Sequence, residues 1–209
     1  IDSLCPERFE EITRTGKLER VLKGIEAAQA AGIERIKLNS VIVRGKNDDE
    51  IIPLVEFALE KGLDISFIEE MPMGDIGSRD RQHTMVTSEE IKEVISAVYS
   101  ILPSAETSAG PSRYYRIAGS DIRIGFISPN SHNFCESCNR VRVTSEGRLL
   151  LCLGNEHSVD LKAVIRRYPG DMDKLKTTIV EAMDIKPERH YFYDDDKPQV
   201  VRLMNVTGG

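Results

Sequence analysis

Between residues 18 and 69 the chain alternates helix and strand, and that order constrains its fold more than any other feature. Leu18, Val21, Leu22, Ile25 and Ala28 recur at helical spacing, and Gly32 ends the run where a C-terminal glycine is expected. Arg35 to Val43 reads as a strand. Asn47-Asp48-Asp49-Glu50 is a helix start ahead of Ile51, Leu54, Val55 and Ala58, with Gly62 as the stop, and Asp64 to Glu69 reads as the next strand. Strand, helix and strand in succession argue for a parallel sheet with crossover helices, either doubly wound or part of a barrel. The 209 residues suffice for one domain or two small ones.

From Gly74 the texture changes. Met73 to Thr84 is rich in Gly, Ser, Asp and Arg and reads as a loop, after which Thr87-Ser88-Glu89-Glu90 resembles a capping box opening a helix to about Ser100. Tyr114 to Ile117 and Ile122 to Ile127 are predicted strands of a hairpin that turns through Gly119-Ser120-Asp121. Ser158 to Arg167 and Asp171 to Met183 carry helical patterns, and a tail runs from Lys186 through Asp194-Asp195-Asp196 to Gly208-Gly209. At the other end, Ile1-Asp2-Ser3-Leu4 reads as the end of a strand leading into a helix from Pro6 to Arg14. Nothing ahead of it could pair with it, which suggests a fragment.

The chemistry is concentrated in Phe134-Cys135-Glu136-Ser137-Cys138-Asn139-Arg140-Val141-Arg142-Val143-Thr144 and the return to Cys152. A net charge of −6 argues against wholesale nucleic-acid binding. No apolar stretch approaches a membrane span and no signal pattern opens the chain, so the expected address is the cytoplasm, with no membrane partner. In a reducing compartment the three clustered cysteines favour metal ligation over disulfides, whereas Cys5 is expected to be a buried thiol without chemistry. Arg140, Arg142 and Thr144 alternate with Val141 and Val143, so in a strand the polar side chains share one face and the valines pack on the other. A three-residue turn of Ser145, Glu146 and Gly147 would pair Thr144 with Arg148 and Arg140 with Cys152, placing Cys152 on the face of Cys138. Two metals stay open: a structural zinc with His132 or His157 as fourth ligand, or an iron–sulfur cluster with one iron left for a substrate atom beside two phosphate-binding guanidinium groups.

A second polar feature lies in Ile36 to Val43, where Lys37 and Asn39 share one face of an otherwise apolar strand. On an edge strand that face meets solvent; in a barrel it looks inward, and Lys37 becomes an interior cation able to meet a phosphate. Glu69, Glu70 and Met71 close the next strand, at the end where sites of α/β folds gather.

These residues closely resemble the molybdenum-cofactor biosynthesis protein A family, radical S-adenosylmethionine enzymes that cyclise GTP. The likeness runs from Asp2-Ser3-Leu4 and Pro6-Glu7-Arg8-Phe9 through Asn47-Asp48-Asp49-Glu50, Phe67-Ile68-Glu69, Gly110-Pro111, Arg113-Tyr114-Tyr115 and Ile124-Gly125-Phe126-Ile127-Ser128 to the cysteine segment and Gly208-Gly209. It implies that Cys135, Cys138 and Cys152 hold a [4Fe–4S] cluster whose open iron binds the guanine of GTP. It further implies that Lys37 and the segment Arg140, Val141, Arg142 and Thr144 contact GTP, that Met71 lines the S-adenosylmethionine site, and that Gly208 and Gly209 form a tail reaching into the active site. The family's C-x3-C-x2-C motif for a first cluster is absent from these residues, so the chain alone is expected to be inactive in radical initiation. Ser66 stands where the family usually carries an arginine that contacts phosphate.

The expected architecture is therefore the C-terminal part of an incomplete TIM-like β/α barrel over 1–75, with a small α+β domain carrying the cysteine hairpin over 76–209. The expected function is that of the C-terminal portion of a GTP 3',8-cyclase, a lyase of molybdenum cofactor biosynthesis. GTP and, in the intact parent, S-adenosylmethionine are its expected ligands, and a homodimer is left open. The competing readings are a non-catalytic metal- or nucleotide-binding module and a zinc-stabilised domain.

Overall fold

The computed structural model describes residues 1–73, 81–108, 110–190, 192, 200, 202 and 207. The chain divides into two compact units, one of residues 1–70 and 80–133, the other of residues 71–79 and 134–209.

The first unit is a five-stranded sheet with helices. Strands β1 (Lys37–Ile42) and β2 (Asp64–Glu69) run parallel, in register from Lys37 opposite Asp64 to Ile42 opposite Glu69. Helix α1 (Pro6–Thr13), helix α2 (Leu18–Ala30) and helix α3 (Ile51–Lys61) lie where periodicity places them, with Gly32 and Gly62 at positive φ just past the last two. A four-residue helix α4 (Arg81–Thr84) precedes α5 (Ser88–Ser96), which opens on a complete Thr87–Glu90 capping box. Strands β3 (Ile101–Pro103), β4 (Arg113–Ile117) and β5 (Arg123–Ile127) complete the order β1-β2-β5-β4-β3. Because β5 pairs parallel with β2, the hairpin expected in the second domain belongs to the first sheet. Among the described residues this sheet is open and mixed, with β1 at one edge. Ile1 and Asp2 run along that edge without forming a strand; the Asp2 carboxylate accepts from the Val41 N–H at 2.8 Å.

The two faces of the sheet differ. Leu38, Ile42, Ile65, Phe67, Ile124 and Phe126 are buried with Leu54, Val55, Ala58, Ile91 and Ile95 of α3 and α5 in the main core. The opposite face carries Lys37, Asn39, Ser66, Gly125 and Tyr114, the last four aligned by register. At Gly125 it is closely packed: a Cβ there would lie 2.1 Å from Ser112 Oγ and 2.3 Å from Ser66 Oγ.

A polar knot fastens α1 to this unit. The Ser3 hydroxyl donates to Glu50 at 2.6 Å, the Leu4 N–H at 2.6 Å and the Arg8 guanidinium at 2.7 Å. Burial alone would push the Glu50 carboxyl up, but these donors together hold it below its ordinary value. The carboxylate therefore contributes stability that is present above its unfolded pKa of about 4.3 and is lost as pH falls through the depressed folded value. Glu50→Gln is expected to cost about 1–3 kcal/mol at neutral pH, with the deficit closing in strongly acidic buffer. Urea melts at several pH values would reveal it, and a deficit independent of pH would speak against the charge.

The second unit holds a three-stranded antiparallel sheet, β6 (Arg142–Val143), β7 (Arg148–Leu150) and β8 (Ser158–Asp160), followed by α6 (Leu161–Arg167) and α7 (Met172–Ala182). Its small core is Leu149, Leu151, Leu161 and Ala182, with Val159, Leu175 and Ile179 against it. The first residues of the helix expected from Ser158 are thus a strand; Asp160 ends it and caps α6 through the Ala163 N–H at 2.9 Å.

Candidate metal centre

The cysteine hairpin turns through Ser145, Glu146 and Gly147, with Gly147 at φ 82° and the Gly147 N–H donating to the Thr144 carbonyl at 2.9 Å. Arg142 pairs with Leu150 and Val143 with Leu149, and the Thr144 N–H reaches the Arg148 carbonyl at 2.9 Å. The ladder begins only at Arg142, so Cys138 and Arg140 lie beyond its paired end rather than inside a strand. Nor do the valines pack on the opposite face: Val141 and Val143 are 40% and 58% exposed, on a strand only two residues long.

Cys135 opens a turn of 3-10 helix (Cys135–Ser137), and the Cys138 N–H closes it on the Cys135 carbonyl at 3.0 Å. Cys152 lies in the loop between β7 and β8, whose neck is closed by the Leu151 N–H bonding the His157 carbonyl at 3.2 Å. Arg202 steadies this loop by donating to the carbonyls of Leu153 at 3.2 Å and Asn155 at 2.8 Å, and pairs with Glu156. Burial pushes the Cys152 thiol up and Cys135 and Cys138 add to the rise, against the Gly154 N–H and Lys186. The three cysteines therefore share one electrostatic neighbourhood, as thiols rather than a disulfide.

Two further residues converge there. The Lys186 ammonium lies 3.9 Å from Cys138 Sγ and donates to the carbonyls of Arg140 at 2.7 Å and Leu151 at 3.2 Å. The His190 N–H donates to Cys135 Sγ at 3.4 Å. A Cβ on Gly154 would lie 2.5 Å from His190 Cβ and 2.9 Å from Phe192, so only glycine admits this close approach. Neither Lys186 nor His190 is singled out by sequence pattern, since roughly fifty residues separate each from its cysteine.

Among the described residues, no group of three His, Cys, Asp or Glu side chains is disposed around a single ion. A [4Fe–4S] cluster makes a different demand, taking each thiolate on a different iron and tolerating N–H donors and cations beside its sulfurs. Three thiols with the Lys186 ammonium and the His190 N–H beside them are compatible with that group. His132 and His157, the candidate zinc ligands, are both exposed.

The other expected site residues are distributed as follows. Arg140 is exposed and Arg142 half-buried, whereas Thr144 is buried and its hydroxyl accepts from the Arg148 N–H at 3.2 Å, a bond internal to the turn. Lys37, in the first unit, is exposed on the polar face of β1. Burial pushes the Tyr114 phenol up, but Ser108, Lys37, Ser112 and Arg123 outweigh it, so Lys37 and Tyr114 feel one another on that face. Ser66 is fully buried there, 3.1 Å from Ser112 Oγ. Met71 is half-buried at the start of the second unit. Gly208 and Gly209 lie outside the described residues. Cys5 is half-exposed, not buried, because it sits at the N-cap of α1, where its thiol donates to Glu7 at 3.2 Å.

Residues 63–192 match the profile of the family described as Molybdenum Cofactor Synthesis C, and residues 1–58 match the Radical SAM superfamily. The chain is 56% identical over 209 residues to a GTP 3',8-cyclase of Marinobacter nauticus and 58% identical over 210 residues to one of Pseudomonas fluorescens. It is 54% identical over 209 residues to GTP 3',8-cyclase 2 of Pseudomonas aeruginosa. In each case the whole chain is covered and spans 63% of the relative's length.

Proposed function

We propose, for a chain that belongs to the Molybdenum Cofactor Synthesis C family, that it is the cluster-carrying and GTP-binding portion of a radical S-adenosylmethionine GTP 3',8-cyclase. The observation that carries this reading is the convergence of Cys135, Cys138 and Cys152 with a lysine ammonium and a backbone N–H donor in one small unit. Three thiolates would hold a [4Fe–4S] cluster, whose open iron supplies a coordination position for a ring atom of the guanine. Arg142 and Arg140, which follow Cys138 in the hairpin, would bind the triphosphate through charge-assisted hydrogen bonds. By the family resemblance, Lys37 on the polar face of the first sheet would also contact GTP, and Met71 would pack beside S-adenosylmethionine, in the complete enzyme. Thr144 contributes by holding the turn that presents the arginines.

Calorimetric titration with GTP tests this. Each charge-assisted phosphate contact contributes about 1.5–3 kcal/mol, so Arg142→Ala and Lys37→Ala are each expected to weaken binding about ten- to hundred-fold. Unchanged affinity in both variants, or no GTP binding by the reconstituted wild type, would defeat the proposal.

A further inference from the structure

Lys186 and His190 belong to Lys186-Pro187-Glu188-Arg189-His190, a segment that follows the 3-10 turn Met183–Ile185 at the end of α7. It reaches both the turn that bears Cys135 and Cys138 and the arm that bears Cys152. We propose that Lys186 is a positioning residue of the cysteine site: its ammonium ties together the two arms of the hairpin and sets the charge environment of the cluster they hold. This inference rests on the cluster reading above.

The bracing follows from where the ladder stops. Antiparallel pairing ends at Arg142 opposite Leu150, just short of the cysteines. Past that point the two arms have no strand pairing to fix their separation, yet Cys138 and Cys152 must keep a common spacing to hold one group. Lys186 Nζ donates to the Arg140 carbonyl on one arm at 2.7 Å and to the Leu151 carbonyl on the other at 3.2 Å. Leu151 immediately precedes Cys152, and Arg140 lies two residues after Cys138. An ammonium, with its three donors, can thus replace the missing ladder bonds and still aim its charge at sulfur.

The charge has its own consequence. Lys186 Nζ is 3.9 Å from Cys138 Sγ, and the His190 N–H donates to Cys135 Sγ from the other end of the same short segment. One-electron reduction of a thiolate-held cluster by an external reductant such as dithionite adds one negative charge to it. A fixed cation and an N–H donor at the sulfurs stabilise the reduced form more than the oxidised form, and so raise the reduction potential. Glu136, between the two cysteines of the turn, is exposed, and the remaining charged groups of that stretch, Arg140 and Arg142, are also cationic.

The test compares wild type, Lys186→Met and Lys186→Arg after anaerobic reconstitution with iron and sulfide. It reads iron content, the rate of iron loss to a chelator, and the midpoint from an EPR-monitored dithionite titration. In Lys186→Met the midpoint is expected to move negative, so that the reduced-to-oxidised ratio at the wild-type midpoint falls about tenfold, or about 59 mV for one electron. Iron loss is expected to quicken, and Lys186→Arg to recover the midpoint because it keeps the charge. If Lys186→Met takes up no cluster, recovery by Lys186→Arg still supports the proposal. A methionine variant with wild-type midpoint and iron loss, or equal impairment of both variants, overturns it. Wild type that takes up no iron defeats the cluster reading and this inference with it, whereas uptake with an unmoved midpoint defeats this inference alone.

Discussion

Anaerobic reconstitution of Cys135→Ala, Cys138→Ala and Cys152→Ala is expected to leave each variant without an iron–sulfur cluster, while Cys5→Ala retains wild-type iron. The effect is all-or-none because each thiolate would hold a different iron, so no remaining cysteine can substitute for the one removed. Cys152 approaches Cys135 and Cys138 closely enough to raise its own pKa, whereas Cys5 is engaged with Glu7 at the start of α1. Wild type and Cys5→Ala should contain about four iron and four sulfide per chain with broad visible absorption. Stoichiometric zinc with no capacity to take up iron, or iron persisting in all three variants, would refute the assignment. In a cubane-binding chain the alanine variants should still fold. The core of the unit is Leu149, Leu151, Leu161 and Ala182, which none of the substitutions touches.

Glu69→Ala is expected to lower the unfolding free energy by about 2–4 kcal/mol. Glu69 closes β2 at the end where binding sites gather, and by sequence it is as good a site candidate as Glu70. Its carboxylate is fully buried and saturated, accepting from the N–H groups of Ser88 at 2.9 Å, Asn130 at 3.0 Å and Ser131 at 3.0 Å, and from the Ser131 hydroxyl. Ser88 is the first residue of α5, so its N–H is one of the donors that a helix cannot satisfy internally. Truncation leaves that donor buried without its acceptor and releases the loop after β5. Glu69→Gln should lose less, because an amide oxygen can still accept part of the set, although its NH2 then faces N–H donors. Urea denaturation measures the difference. A stable Glu69→Ala chain that had lost GTP binding would reverse the conclusion and make Glu69 a ligand-facing residue.

Local structure was the most legible part of this chain. Gly62 ends α3 in the left-handed conformation, and Thr87 and Glu90 form a reciprocal cap, because each depends on residues within one helical turn. The cysteine turn is similar in kind: Gly147 supplies the positive φ that a three-residue loop requires, and that loop fixes which residues of the two arms lie opposite. Errors arose where a local pattern was too short to carry its own packing. Val141 and Val143 alternate as buried strand residues do, yet they are exposed, since alternation specifies a face without specifying that anything covers it. Ser158 to Asp160 continues a helical pattern smoothly but pairs with β7, whose hydrogen bonds outweigh a weak local preference.

The sequence alone determined the chemistry of this protein, namely three thiols and two arginines in one hairpin, together with a strand–helix–strand order that makes β1 and β2 parallel. Those are matters of residue type and spacing along the chain. Only the tertiary structure decided what surrounds the chemistry: that β5 inserts beside β2, that Glu69 is consumed by backbone donors, and that Lys186 and His190 close on the cysteines from about fifty residues away. No spacing rule reaches so far. A lysine before a proline looks like any solvated residue until folding brings two orphaned carbonyls and a sulfur within reach of its ammonium.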